Sequence, residues 1–305
     1  MRYSTNSRPQ IPLPAPDFKV AEPSTFKALL FMVAATAALS GMHGLIRHLS
    51  VSVDVYTITF MRNLFGLLAV LPLVLRNGTD SLRTKNLPLH LLRGVSGILA
   101  MVLWFTALAR VEIATATALS FSAAIFGTIA AVLILRERVR ARRIVAITVG
   151  FIGVIIVLRP AGSSFNPSAL LVLVSSLFWG FNLVIVKTLA NTERTASIVA
   201  WSGITLTVLS LPLFIVFGET PSGNELLQLV LVGALGTLGH LCMTTALSMA
   251  DATAVMSLDF LRLLWTVIIG VVFFAEYIDA MTLLGAVVIF ASSLYIIFRA
   301  ARPRA

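Results

Sequence analysis

Residues 113–135 read IATATALSFSAAIFGTIAAVLIL, residues 136–143 read RERVRARR, and residues 144–158 read IVAITVGFIGVIIVL. The first stretch holds no charged side chain and is long enough to cross a hydrocarbon layer as a helix, which takes about 20 apolar residues. The second puts five arginines, Arg136, Arg138, Arg140, Arg142 and Arg143, into eight positions. The third is apolar again. A soluble fold has no use for two such walls around so dense a block of charge. A membrane protein does, because cationic loops hold its orientation.

Outward from this stretch the pattern recurs. Apolar spans are expected at about 26–47, 55–75, 88–109, 113–135, 142–158, 168–188, 195–217, 226–248, 251–274 and 280–298. Turn formers separate them, among them Arg76-Asn77-Gly78-Thr79-Asp80, Arg159-Pro160-Ala161-Gly162 and Gly218-Glu219-Thr220-Pro221-Ser222-Gly223. Composition agrees. The chain is 58% hydrophobic and 12% charged, with mean hydropathy +0.96, whereas soluble domains carry about 25% charged residues. So few charges cannot cover a surface against water.

The net charge of +10 would suggest nucleic acid in a soluble protein. Here the cations lie between spans, so no nucleic-acid partner is expected. With the N-terminus inside, the inner segments hold Arg2, Arg8, Lys19, Lys27, Arg76, Arg83 and Lys85, the five arginines of 136–143, then Lys187, Arg194, Arg299, Arg302 and Arg304. That is 17 cations, against three outside, Arg47, Arg110 and Arg159. The asymmetry predicts both termini in the cytoplasm. Residues 1–25 lack the apolar core of a secretory signal and read as a disordered tail, with a second short tail at 300–305.

A shift of 139 residues lays one half on the other: Thr106-Ala107-Leu108 on Thr245-Ala246-Leu247, Leu119 on Leu258, Phe121 on Phe260, Glu137 on Glu276, Gly41 on Gly180. Pro72 meets Pro212 with one residue inserted. The halves are therefore 26–160 and 161–299, five spans each. An odd number of spans makes them enter the membrane in opposite directions. Inverted repeats of this kind build secondary transporters, with the substrate near the midplane between them. The expected fold is all-α, ten transmembrane helices as two inverted five-helix repeats around a central cavity.

The segment Ala114-Thr115-Ala116-Thr117-Ala118-Leu119-Ser120-Phe121, closing on Leu135-Arg136-Glu137-Arg138-Val139, resembles the repeat of the EamA family in the drug/metabolite transporter superfamily. So do Gly150-Phe151-Ile152-Gly153-Val154 and Leu158-Arg159-Pro160, and, more loosely, Ala252-Thr253-Ala254 through Phe274-Ala275-Glu276. The resemblance covers about 28–298. It implies alternating access and substrates such as amino acids, S-adenosylmethionine, riboflavin or metallophore-like compounds, taken up or exported. Many members carry a proline in the middle of the fourth span. This chain departs from that pattern with Ala123-Ala124, which leaves the bend of that span open.

Ionisable residues inside spans mark candidate pathways, because they are costly in lipid. Arg62 in the second span can capture a substrate anion or the Asp259 carboxylate, or snorkel to the interface. Asp259 and Arg262 are spaced i, i+3 and share one face with Trp265, as an ion pair that orients the span or as a proton or substrate site. His43 and His240 lie well inside the first and eighth spans, and Asn182 aligns with His43 across the repeat. Trp104 and Trp179 complete the candidate substrate-binding set; Trp201 reads as core. Glu137 and Glu276 end equivalent spans and read as interfacial charge pairs. Gly233, Gly236 and Gly239 recur every three residues in the eighth span, as close helix contacts require.

No Walker, HExxH or nucleophile-elbow pattern is present. The lone Cys242 cannot form an internal disulfide. No cofactor, metal or enzymatic chemistry is expected. The expectation is a carrier in a bacterial inner membrane for a small polar or zwitterionic metabolite, driven by a coupled proton or by exchange. A carrier for a larger cofactor-like metabolite, or a passive channel, are the alternatives.

Overall fold

The computed structural model describes residues 25–76, 84–135, 141–159, 166–190, 192–193, 195–249, 255, 258–277 and 279–301. The N-terminal tail, and Arg136, Glu137, Arg138 and Arg140, lie outside the described residues. Among those described the chain is helical, with no strand: α1 Thr25–Leu49, α2 Val55–Arg76, α3 Leu87–Leu108, α4 Ile113–Ser120, α5 Ala123–Leu135, α6 Ala141–Leu158, α7 Ala169–Ala190, α8 Thr195–Phe217, α9 Gly223–Met249, α10 Leu261–Phe274 and α11 Ala280–Ala301, with a 3₁₀ turn Leu258–Phe260 before α10. Each expected span falls on helix over most of its described residues. Six helical stretches are long and apolar enough to cross a membrane, and three shorter apolar ones accompany them.

Two spans differ from expectation. The stretch 113–135 is not one helix but α4 and α5, broken at Phe121-Ser122, where Ser122 N–H donates to Leu119 O and Ala124 N–H to Phe121 O. These are i→i−3 bonds that tighten and turn the chain without a proline. The ninth span is described as helix from the 3₁₀ turn at Leu258 onward, preceded only by Val255, so its expected start at 251–254 lies outside the described residues. Phe121 and Phe260, the residues at the two interruptions, stack on each other with centroids 6.2 Å apart.

The helix ends are fixed by side chains that satisfy otherwise orphaned amides. Asp54 accepts Thr57 N–H at 2.8 Å before α2. Ser222 and Glu225 pair in the manner of a capping box at α9. Asp279 accepts the amides of Met281 and Thr282 at α11.

Packing joins α1 to α9 and α10, α3 to α7 and α8, α5 to α7, α2 to α8 and α9, and α6 to α11. Lipid offers helices no hydrophobic reason to associate, so contact depends on close fit. At the α6–α11 crossing a Cβ on Gly153 would lie 3.0 Å from Gly285 O, and one on Gly285 would lie 2.8 Å from Gly153 O. The main buried cluster runs through the middle of the bundle and includes Met42, Trp104, Phe105, Phe121 and Ile125.

Candidate functional site

Four helices bring ionisable groups to one region: His43 from α1, Arg62 from α2, His240 from α9 and Arg262 from α10. The charges of Arg62 and Arg262 both act on the imidazoles of His43 and His240. Arg262 Nη2 donates to Asp259 Oδ2 at 2.7 Å, so Asp259 pairs within its own span. Among the described residues Arg62 has no carboxylate partner; its Nη1 donates to Asn63 Oδ1 at 3.0 Å. Two guanidinium groups therefore face one carboxylate.

Aromatic rings surround these charges. His43 meets Trp104 edge to face, with centroids 5.2 Å apart and an interplanar angle of 69°. Arg262 Cζ lies 5.2 Å from the centre of the Phe121 ring, a cation–π contact that fixes the guanidinium plane. Phe260 and Phe290 extend the stack, 4.6 Å apart. Trp265 turns toward α1, where its Nε1 donates to Thr36 Oγ1 at 3.2 Å.

Backbone geometry holds the set in place. Ser40 Oγ and Thr266 Oγ1 both donate to the Arg262 carbonyl, at 3.3 and 2.9 Å. Gly236 of α9 lies directly behind Arg62: a Cβ there would sit 2.8 Å from Met42 Sδ and 3.2 Å from Arg62 Nη2. His240 is exposed one turn further along the same helix.

Of the nine sequence candidates, His43, Arg62, Trp104, His240, Asp259 and Arg262 gather here, and Trp265 packs at the margin. Asn182 stands on α7 against α3, where its Oδ1 accepts Ser96 Oγ at 3.0 Å. Trp179 is 40% exposed on α7. Asn63, Phe260, Phe290 and Gly236 belong to the region and were not singled out as site residues from sequence. The alignment of Phe121 with Phe260 across the repeat was the available signal for the aromatic stack.

Ion pairs close both ends of the bundle. At the Leu49 end, Arg47 Nη2 meets Glu276 at 2.5 Å, and its Nη1 donates to the carbonyls of Leu108 and Val111. Ala275, in the left-handed region at φ 51°, ends α10. Glu276, the next residue, also accepts Ile113 N–H at 2.9 Å. Burial pushes the Glu276 carboxyl up, against the opposing pull of Arg47 and that amide. Arg159 and Asp279 form a second pair there.

At the Leu87 end, His90 Nε2 and Glu193 Oε2 stand 2.6 Å apart, and His90 stacks on Trp201. Glu193 also accepts Thr84 Oγ1. Burial pushes its carboxyl up, but the Thr84 and His90 hydrogen bonds outweigh this and hold it below its ordinary value. The pair joins residues more than a hundred positions apart, which no local spacing could announce.

A helical bundle with six strongly apolar helices, and charges gathered at its interior beside broken helices, defines a multi-pass membrane transporter. The family model described as "EamA-like transporter family" matches residues 26–159 and 166–298. The chain belongs to the EamA-like transporter family. An S-adenosylmethionine uptake transporter of Rickettsia felis is 33% identical over 252 residues, 83% of this chain and 86% of the relative. A riboflavin transporter of Brucella anthropi is 32% identical over 245 residues, 78% and 86% of the two chains. A pseudopaline exporter of Pseudomonas aeruginosa is 27% identical over 263 residues, 86% and 92%. One crystal structure superposes with TM-score 0.62 over 90% of this chain and 97% of that one; at 18% identity it bears on the fold alone.

Proposed function

We propose that this protein is a secondary carrier that moves a small polar or zwitterionic metabolite across a bacterial inner membrane by alternating access. Ten spans form two inverted five-helix repeats, with both termini in the cytoplasm. The observation that carries the reading is the Arg62–Arg262–Asp259 cluster with His43 and His240. Charged groups inside a membrane bundle are retained where they serve a substrate or ion path. The two interrupted spans beside it fit the same role, since irregular backbone at membrane depth is tolerated only where it is buried in protein or lines a cavity.

The inverted arrangement is supported by how the helix contacts exchange under the 139-residue shift. The pair α1–α9 becomes α7–α3, α2–α9 becomes α8–α3, and α1–α10 becomes α7–α5, each of them a packed pair. Reporter fusions at Gly162 and Gly223 are expected to read periplasm, and fusions at Arg142 and Arg302 cytoplasm. A cytoplasmic signal at Gly223 breaks the inverted reading.

Saturable, trans-stimulated counterflow in proteoliposomes is the expected behaviour; flux that stays linear with concentration identifies a channel instead. Asp259→Asn is expected to change the pH dependence of counterflow if the coupled ion is a proton bound there. A second reading, a larger ring-bearing metabolite of the S-adenosylmethionine or riboflavin type, is favoured by Trp104, Phe121, Phe260 and Phe290 beside the guanidinium groups. Competition of each compound against counterflow separates the two.

A further inference from the structure

We infer that the site grips its substrate by an anionic group, a carboxylate or a phosphate, held by Arg62, Asn63 and Arg262, with Gly236 as the residue that makes room for the grip. The inference rests on the carrier reading and narrows its substrate class.

Three buried nitrogens in the cluster have no hydrogen-bond partner: Arg62 Nε, Asn63 Nδ2 and Arg262 Nε. All three are donors. Asn63 is 3% exposed, so bulk water does not serve it. Three unmet donors on these side chains are complementary to a group that only accepts, and carboxylate and phosphate oxygens are such groups. Charge points the same way. Asp259 neutralises one guanidinium and leaves the other uncompensated, so an anion is the group that completes the cluster.

Geometry supplies the grip. Arg262 is held by Asp259 through Nη2 and by the Phe121 ring against its face, which leaves the buried Nε without a partner. Arg62 is tied to Asn63 through Nη1, and its Nε is likewise buried without a partner. The α9 backbone backs Arg62 at Gly236, where an added Cβ would lie 3.2 Å from Nη2 and 3.4 Å from Nε. A side chain at 236 meets Met42 Sδ first, at 2.8 Å, and crowds the guanidinium beside it. A neutral ring compound offers no charge to balance Arg62, so the aromatic residues take the body of the substrate while the arginines take its anionic end.

The test uses the full chain purified in detergent, with thermal unfolding followed in sodium phosphate, sodium acetate and sodium chloride at equal ionic strength. Kosmotropic anions stabilise many proteins by exclusion from the surface, so the readout is the difference between wild type and variants. Wild type is expected to gain several degrees more in phosphate or acetate than in chloride. Arg62→Gln and Gly236→Ala are expected to lose that excess, with an apparent affinity weakened by about tenfold or more. Arg62→Lys keeps the charge without the fork; it covers the case in which Arg62→Gln does not fold, and it is expected to fall between the two. No excess in wild type, or an equal excess in all four proteins, overturns the inference. Counterflow keeps the two readings apart: saturable counterflow that survives Arg62→Gln overturns the anion grip and leaves the carrier standing, whereas flux that never saturates removes the carrier itself.

Discussion

The two helices that carry paired glycines, α3 and α9, make the same backbone approach and fill it differently. On α3, a Cβ at Gly94 would meet Leu209 and Thr205, and one at Gly97 would meet Leu206. On α9, at positions 139 residues later, a Cβ at Gly233 would meet Phe65, and one at Gly236 would meet Met42 and Arg62. The first crossing is hydrocarbon and a hydroxyl already bonded to Trp201 O at 2.7 Å. The second holds a guanidinium. Duplication has preserved the spacing that lets helices touch, while only the second crossing sets a guanidinium against its glycines; on the first, Arg93 next to Gly94 spends its charge on the Ile198 carbonyl. A transporter needs both halves to move and one place to bind, and the two crossings divide that work.

The largest effect is expected where the two sides differ most. Arg62→Gln removes a charged donor set and is expected to reduce counterflow by about 100-fold, the equivalent of one strong charge-assisted hydrogen bond lost. Ser202→Ala, at the aligned position of the other half, is expected to leave counterflow within about threefold, since an isolated hydroxyl contributes about 1 kcal/mol or less. Equal losses in both variants break the comparison.

The ends of the bundle give the next effect. Arg47→Gln leaves the more buried Glu276 carboxylate without its cation and is expected to destabilise the protein by about 3 kcal/mol, read as a fall in Tm. Gly97→Ala forces only the tip of Leu206 to move and is expected to cost about 1–2 kcal/mol with transport retained, a mild case of overpacking. Gly236→Ala is expected to show a similar fall in Tm but to lose transport, because it crowds the Arg62 guanidinium as well as Met42 Sδ.

The smallest effect is a dependence on pH, and its sign differs between the ends. Glu193 is held below its ordinary value of 4.5, so its contribution to stability is present above that value and fades as the pH falls through the folded pKa. Glu276 is raised, so its contribution is present below the ordinary value and fades as the pH rises through the folded pKa. Thermal scans across the acid range are expected to flatten in opposite directions in Glu193→Gln and Glu276→Gln. Parallel changes would mean that the two ends are held alike.

Much of this arrangement is written in local sequence. Apolar runs give the helices, and charges that interrupt them stand out: Arg62, Asp259, Arg262, His43 and His240 are visible because lipid makes each of them expensive. The i, i+3 spacing of Asp259 and Arg262 gives their pair directly. What is hidden lies between distant residues or in backbone detail. His90 sits near a helix start, where a histidine needs no explanation until Glu193 arrives from the far side of the chain. Asn182 carries the same polarity as His43 but spends it on Ser96. The break at Phe121-Ser122 has no proline to announce it, because a pair of i→i−3 bonds turns the helix inside an unbroken apolar run.

That break also sets a mechanical ratio. The segment beyond it, α5, has 13 residues and is about 20 Å long at 1.5 Å per residue. Its close approach to α7, where a Cβ on Gly127 would lie 3.3 Å from Gly180 O, comes little more than one turn after the break, while Leu135 lies at the far tip. A rotation of about 10° at Ser122 shifts the atoms at Gly127 by about 1 Å and those at Leu135 by more than about 3 Å, from the helical rise alone. The break is thus the hinge: the glycine crossing near it moves little, the far end of α5 sweeps the long arc, and the Phe121 ring over Arg262 sits at the pivot.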